Sequence, residues 1–200
     1  MKEVSFQKIY PNKALRYIII NSNDAKKFID GMTKIAGYSF NTLTKYFSRN
    51  NFQFNPNINS LQKVCDYSEI KLLDFLFLSQ SNNCSNDFYF KNPKNFLPFC
   101  TSSIQLESLK LYFNDNSFSI DLEQIIYFLS KSRKKKNLSE QEIANLLNVK
   151  KQRISQIENY YKIENSYKLK TIVSYSNAVG FPIESAIINT LTLKRLHLHN

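Results

Sequence analysis

The stretch NLSEQEIANLLNVKKQRISQIEN, residues 137–159, contains two short apolar periodicities on either side of a polar corner. Ser139 and Glu142 have the spacing of a capping box, so a helix is predicted to begin at Ser139. Ile143 then begins the apolar face of this helix. Ala144 lies beside that face, where a small side chain lets a second helix approach closely. The first half of the stretch therefore predicts a short helix packed against a neighbour.

The corner between the two periodicities is predicted at Asn148, because asparagine tolerates the left-handed backbone better than most other residues. Val149 is expected to fill the turn. Ile154 and Ile157, three residues apart, would attach a second helix to the core. Two short helices joined by such a corner form a helix-turn-helix.

The second helix of this motif is predicted to turn its polar residues outward. Glutamine can form two hydrogen bonds with adenine, and arginine or lysine can do so with guanine or contact phosphate. These side chains are therefore candidates for contacts in a DNA major groove. An ordinary helical hairpin with a solvated basic face is the alternative. The candidate residues are Lys150, Lys151, Gln152, Arg153, Ser155 and Gln156.

Positive charge is concentrated in two parts of the chain, whose net charge is +11. Residues 1–50 carry nine basic and three acidic groups, and residues 121–175 carry eleven and six. Residues 51–120 are nearly neutral, with five basic and six acidic groups. Two concentrated basic blocks favour a polyanionic partner over a merely soluble surface. Within the second block, Lys134 and Lys135 are candidates for contacts with DNA phosphates.

The same region resembles the Cro/C1 (XRE) family of helix-turn-helix regulators over residues 121–187. LSEQEIANLLNVKKQRISQIEN is similar to that family's pattern of L-S-Q-x-x-L-A, a turn, V-S, and I-x-x-I-E-N. The resemblance implies base contacts by Lys151, Gln152, Arg153 and Gln156, and a phosphate contact by Asn159. Glu140 departs from the family's usual glutamine, and its carboxylate would repel a phosphate.

A degenerate second copy of this region is predicted in residues 24–77. Sliding the chain along itself until Gly37 lies on Asn148 also places Met32 on Ile143, without a gap. We refer to this alignment as the repeat register. An ordinary helical domain used for dimerisation is the alternative. A second recognition helix here would offer these residues to DNA: Asn41, Thr42, Lys45 and Arg49.

The predicted fold class is all-α, with two tandem helix-turn-helix (lambda-repressor-like) domains joined by a mixed or loop-rich segment. The predicted boundaries are 1–78 for the degenerate domain, 79–118 for the connecting segment, and 119–200 for the Cro/C1-type domain with a C-terminal helix. A short hairpin and a connecting helix both fit the sequence around residues 97–120.

Several other functional classes have little support in the sequence. Three widely spaced cysteines and two histidines near the C-terminus make a metal site improbable, and neither a Gly-rich phosphate loop nor a catalytic motif occurs. We therefore expect no enzyme, no cofactor and no metal. Because no secretory signal or membrane-length apolar run occurs, we expect a cytoplasmic, nucleoid-associated protein without a membrane partner.

These observations predict a sequence-specific DNA-binding transcriptional regulator of bacterial or phage type, a repressor by resemblance, with double-stranded DNA as its partner. A homodimer or a protein partner is compatible with the sequence. The alternative function is a protein-interaction factor, an antitoxin or adaptor, that uses the first domain and binds DNA secondarily. RNA binding lacks its usual sequence motifs.

Overall fold

A computed structural model describes residues 10–20, 22, 24–37, 39, 55–80, 91–115, 120–159 and 167–198. Within these residues the regular structure consists of eleven helices, in agreement with an all-α class. The helices are α1 (Pro11–Ile20), α2 (Ala25–Ala36), α3 (Ile58–Tyr67), α4 (Leu72–Ser79), a 3-10 helix (Pro93–Phe99), α5 (Ser103–Asn114), α6 (Leu122–Lys135), α7 (Glu140–Leu146), α8 (Lys151–Glu158), α9 (Leu169–Val179) and α10 (Ile183–Leu198).

The N-terminal unit, Lys8–Lys91, has its own core. Helix α1 packs on α4, and α2 packs on α3. Leu15, Leu61 and Phe75 are completely buried between them. Helix α2 approaches α3 so closely that a Cβ added at Gly31 would lie 1.9 Å from the Tyr67 hydroxyl oxygen. Any larger residue at this crossing would have to displace the Tyr67 ring.

The C-terminal unit, Asn92–Asn200, is built around α6 and the long helix α10. Helix α10 packs on both α5 and α6, and the Gln105 amide donates a hydrogen bond of 2.6 Å to Asn189. The part of the 97–120 segment that the structure describes is helical: its sequence, compatible with either a strand or a helix, forms the end of the 3-10 helix and α5. Both elements pack within the C-terminal unit.

The corner at Asn148 forms largely as predicted. The Ser139 hydroxyl accepts a bond from the Glu142 N–H (3.1 Å), and the Glu142 carboxylate accepts one from the Ser139 N–H (2.6 Å). Asn148 has a φ of 52°, in the left-handed region. Ala144 is fully buried, but Val149 is 39% exposed, so the expectation that it fills the turn is wrong. The turn is closed by the backbone instead, since the Val149 N–H donates to the Ala144 carbonyl (2.9 Å).

In the repeat register, several helix starts and turns of the two units fall on corresponding residues. In this register the first residues of α1, α3 and α4 fall on the first residues of α6, α9 and α10. Left-handed backbone recurs in the same register, at Gly37 (φ 72°) and Asn148, and at Glu69 (φ 54°) and Gly180 (φ 64°). Helix α2 differs, because it begins at Ala25, four residues before the position that corresponds to the start of α7.

Hydrogen bonds at the ends of α3 and α9 coincide in this register as well. The Ile70 N–H donates to the Cys65 carbonyl (3.0 Å), and the Phe181 N–H donates to the Ser176 carbonyl (3.1 Å). The same turn therefore occurs at corresponding positions. In this register the two units therefore share three helix starts, two left-handed positions and the turn at the ends of α3 and α9.

Candidate nucleic-acid interface

Helix α8 is attached to the core by one face and turns the other to solvent. Ile154 and Ile157 are buried, at 0% and 1% exposure. Because successive residues of an α-helix are about 100° apart, Gln152 and Gln156 project on the side opposite these isoleucines. Gln152 is exposed and Gln156 is half-buried. The helix therefore presents two amide side chains, one turn apart, along a single outward row.

A buried ion pair holds α8 against α6. The Arg133 guanidinium donates to the Glu158 carboxylate from Nη2 (2.7 Å) and from Nε, and both side chains are more than nine-tenths buried. Ser130 donates to the same carboxylate (2.9 Å), and so does the Tyr175 hydroxyl of α9. Three helices therefore meet at one carboxylate, and this fixes the C-terminal end of α8.

The pKa of Glu158 follows from these contacts. Burial raises the pKa, but the hydrogen bonds from Arg133, Tyr175 and Ser130 outweigh burial, and the net pKa lies below the usual value for glutamate. Burial and the neighbouring carboxylate raise the pKa of Tyr175. Glu158 is thus an anion and Tyr175 a neutral donor at neutral pH.

The outer face of the corner and α8 form a shallow concave surface, with a volume of about 640 Å³. The described residues that line it supply basic, amide and apolar groups and no carboxylate. We refer to it as the recognition surface, and its residues are Asn148, Val149, Lys150, Gln152, Arg153 and Gln156. A lining of this composition suits a polyanionic ligand.

The other sequence-predicted candidates occupy different positions. Lys151 is exposed and Ser155 is half-buried on the flank of α8, and Lys134 and Lys135 are exposed at the C-terminal end of α6. The Asn159 amide donates to the Ser155 carbonyl (2.8 Å) and so closes the end of α8. Asn41, Thr42, Lys45 and Arg49 lie outside the described residues.

Two residues of this region had no role in the sequence-based site. Val149 contributes an apolar group to the recognition surface. Tyr167 lies beneath Arg153, with the guanidinium carbon 5.0 Å from the ring centre. Nothing in the local sequence pattern identifies Tyr167, because it is far from Arg153 along the chain and meets it only after folding.

The described residues also bear on metal binding and membrane insertion. No group of three or more His, Cys, Asp or Glu side chains in this part of the chain is arranged to hold a metal ion. Among the helices described, none combines the length and apolar character needed to cross a membrane.

Comparisons with known proteins concern the C-terminal unit. No curated protein and no solved structure matches the chain. Residues 129–184, from the second half of α6 to the start of α10, match the family model described as helix-turn-helix. This segment is one helix-turn-helix of the Cro/C1 (XRE) type, a kind of domain that implies DNA binding.

Proposed function

We propose that this protein is a sequence-specific DNA-binding transcriptional regulator of bacterial or phage origin, which acts in the cytoplasm and contacts the major groove with α8. The observation that carries the proposal is the outward row of Gln152 and Gln156, within a surface whose described lining has basic residues and no carboxylate. The helix-turn-helix match over residues 129–184 supports it. Repression is the expected mode of regulation.

The proposed mechanism divides the contacts by chemical type. Lysines of the recognition surface and of the end of α6 neutralise phosphates, so that affinity falls steeply as salt rises. Gln152 and Gln156 can each form two hydrogen bonds with an adenine edge. The exposed Val149 suits contact with a thymine methyl group. The amides therefore supply sequence preference, and the lysines supply most of the affinity.

The N-terminal unit is proposed to be a divergent second helix-turn-helix. Its support is the repeat register, which relates three helix starts and both left-handed glycines to positions in the other unit. Two modules in one chain, or in a homodimer, would sum base contacts over successive turns of DNA, about 34 Å apart. A chain with two modules would need a longer operator than one module alone.

The proposal is tested by replacing both Gln152 and Gln156 with Ala. Binding is measured to duplexes from the gene's own upstream region and to scrambled duplexes, over a series of salt concentrations. We expect the double variant to lose about tenfold or more of the preference for the genuine duplex, since each paired contact contributes roughly 1–3 kcal/mol of discrimination. Affinity for scrambled duplexes should remain nearly unchanged.

Asn114→Ala provides a matched control, because Asn114 is an exposed amide at the end of α5 in the same unit. This variant should bind both duplexes as the wild-type protein does. Preference that survives the removal of Gln152 and Gln156 would contradict the assignment of α8.

A further inference from the structure

Arg153 differs from the two glutamines in the direction it takes from α8. It lies about 100° around the helix from Gln152, toward α9 rather than directly away from the core. Its guanidinium lies over the Tyr167 ring, at 5.0 Å from the ring centre. Tyr167 is itself buried, at 5% exposure, so the ring is a fixed support. Arg153 is therefore an exposed cation that the fold holds in place on the flank of α8.

A groove of about 280 Å³ lies between α8 and α9, beside this guanidinium. Its walls are Leu147, Val149, Ile154 and Ile157. The polar residues that line it all carry groups able to donate hydrogen bonds: Arg153, Lys170, Thr171 and Ser174. None of the described residues around it contributes a carboxylate. Two cations and two hydroxyls around a small groove are the chemistry that binds a phosphate.

We propose that this groove binds one backbone phosphate of duplex DNA, with Arg153 as the contacting residue and Tyr167 as its positioning residue. The inference rests on the proposed function, since it assumes that α8 lies in the major groove. When Gln152 and Gln156 face the base edges, a side chain one quarter-turn around the helix faces the wall of the groove, where the phosphates are. Arg153 therefore supplies affinity rather than sequence preference.

The position of the guanidinium over the ring explains why an aromatic residue suits position 167. The ring attracts the cation through its π-electrons and accepts no conventional hydrogen bond, so the guanidinium keeps its N–H donors. The ring therefore orients the arginine without occupying the donors that a phosphate needs. It also lowers the conformational entropy lost on binding, because the side chain is ordered before DNA arrives.

The first experiment compares Arg153→Ala with the wild-type full-length protein on the genuine and the scrambled duplex. We expect both affinities to fall by the same factor, about tenfold at low salt. The slope of log K against log salt should become shallower by about 0.9, which is the value for one phosphate contact. Lys131→Ala is the control, because Lys131 is another exposed cation over an aromatic ring, Tyr127, at 5.7 Å. It should leave affinity and slope almost unchanged.

The second experiment tests the positioning role with a double-mutant cycle. Tyr167→Phe keeps the ring and should bind DNA as the wild-type protein does, whereas Tyr167→Leu should lose about two- to fivefold in affinity for both duplexes. In an Arg153→Ala background, Tyr167→Leu should have no further effect on affinity. Circular dichroism at the assay temperature establishes the folded fraction of each variant, and affinities are expressed per folded protein.

Three results would overturn the inference. Equal weakening of binding by Tyr167→Leu with and without Arg153 would make Tyr167 a purely structural residue. A loss of affinity for the genuine duplex alone in Arg153→Ala would make Arg153 a base-contacting residue and leave the proposed function intact. Absence of duplex binding by the wild-type protein would overturn the proposed function together with this phosphate site.

Discussion

Four residues other than glycine adopt positive φ angles in the described part of the chain, and two of them each correspond to a positive-φ glycine of the other unit. In the repeat register Asn148 corresponds to Gly37, and Glu69 corresponds to Gly180. Asparagine and glycine both suit this conformation, whereas a glutamate in it is strained. Glu69 thus has the left-handed turn conformation of Gly180 despite an unfavourable side chain.

Glu69→Gly should therefore stabilise the N-terminal unit by about 0.5–1 kcal/mol, because glycine removes the strain of the left-handed backbone. The reciprocal change, Gly180→Ala, should destabilise the C-terminal unit by about 1 kcal/mol or more. A Cβ at Gly180 would also lie 3.0 Å from Lys136 Nζ, which donates to the Val179 carbonyl (2.8 Å). Urea denaturation measures both changes.

Glu107→Gly is the control for this comparison. Glu107 is exposed within α5 and pairs with Lys110 (2.8 Å), so glycine there should cost about 1 kcal/mol, mainly through lost helix propensity. A destabilising effect of Glu69→Gly similar to that of Glu107→Gly would contradict the strain at Glu69.

Among the helices, α8 is attached to α6 by a buried ion pair in addition to its buried isoleucines. In the N-terminal unit the positions that correspond to Arg133 and Tyr175 are Ser22 and Val64, so this polar network has no counterpart of the same chemistry there. A buried carboxylate that loses its cation remains desolvated and uncompensated. The position of α8 therefore depends on Arg133 more than on any exposed residue of α8.

Arg133→Met should destabilise the C-terminal unit by about 3 kcal/mol, because it leaves Glu158 buried without its partner. The double variant Arg133→Met/Glu158→Leu should recover much of this loss, since an apolar pair replaces the ion pair. Lys131→Met, an exposed change on the same helix, should have little effect. Equal stability of Arg133→Met and the wild-type protein in urea denaturation would show that the ion pair does not hold α8.

Over the whole molecule, a buried carboxylate in each unit makes stability depend on pH, and the two carboxylates act in opposite directions. Burial raises the pKa of Asp74 to about 6, although its carboxylate accepts N–H bonds from Lys91 (3.1 Å) and Lys71 (3.4 Å). A raised pKa means that the folded state takes up a proton before the unfolded chain does. The contribution of Asp74 to the free energy of unfolding of the N-terminal unit is therefore complete below about pH 4 and is lost as pH rises through 6. Glu158 has a lowered pKa, so it stabilises the C-terminal unit above about pH 4.5, and this contribution is lost on further acidification.

The stability difference between the wild-type protein and Asp74→Asn tests whether Asp74 stabilises the N-terminal unit as pH falls. Between pH 7 and pH 5, the N-terminal unit of the wild-type protein should gain about 1 kcal/mol relative to the variant. The variant retains a side-chain oxygen to accept the two N–H bonds. Urea denaturation at several pH values, followed by signals from each unit, measures the difference. A pH-independent difference would show that Asp74 has an ordinary pKa.

The sequence predicted those features whose cause is local. The capping box at Ser139, the left-handed Asn148 and the buried pair Ile154 and Ile157 all follow from residues within one or two turns of each other. Features that join distant segments were missed. The contact of Arg153 with Tyr167 and the hydrogen bond of Gln105 with Asn189 require the folded chain, because no periodicity relates the partners.

The exposed position of Val149 was missed for a related reason. An apolar residue at a corner is expected to be buried, yet the backbone bond from Val149 to Ala144 closes the corner without help from its side chain. The repeat register could be predicted from the sequence, because the apolar positions of the two segments coincide. The matching helix starts support the proposal that the N-terminal unit is a second helix-turn-helix.

Selection of duplexes from a random-sequence library tests the role of α8 most directly. The wild-type protein should enrich a defined motif, and the variant with Gln152→Ala and Gln156→Ala should bind the library but enrich that motif about tenfold less or weaker still. If that variant enriches the same motif as strongly as the wild-type protein does, sequence preference comes from elsewhere in the chain and α8 is not the recognition helix.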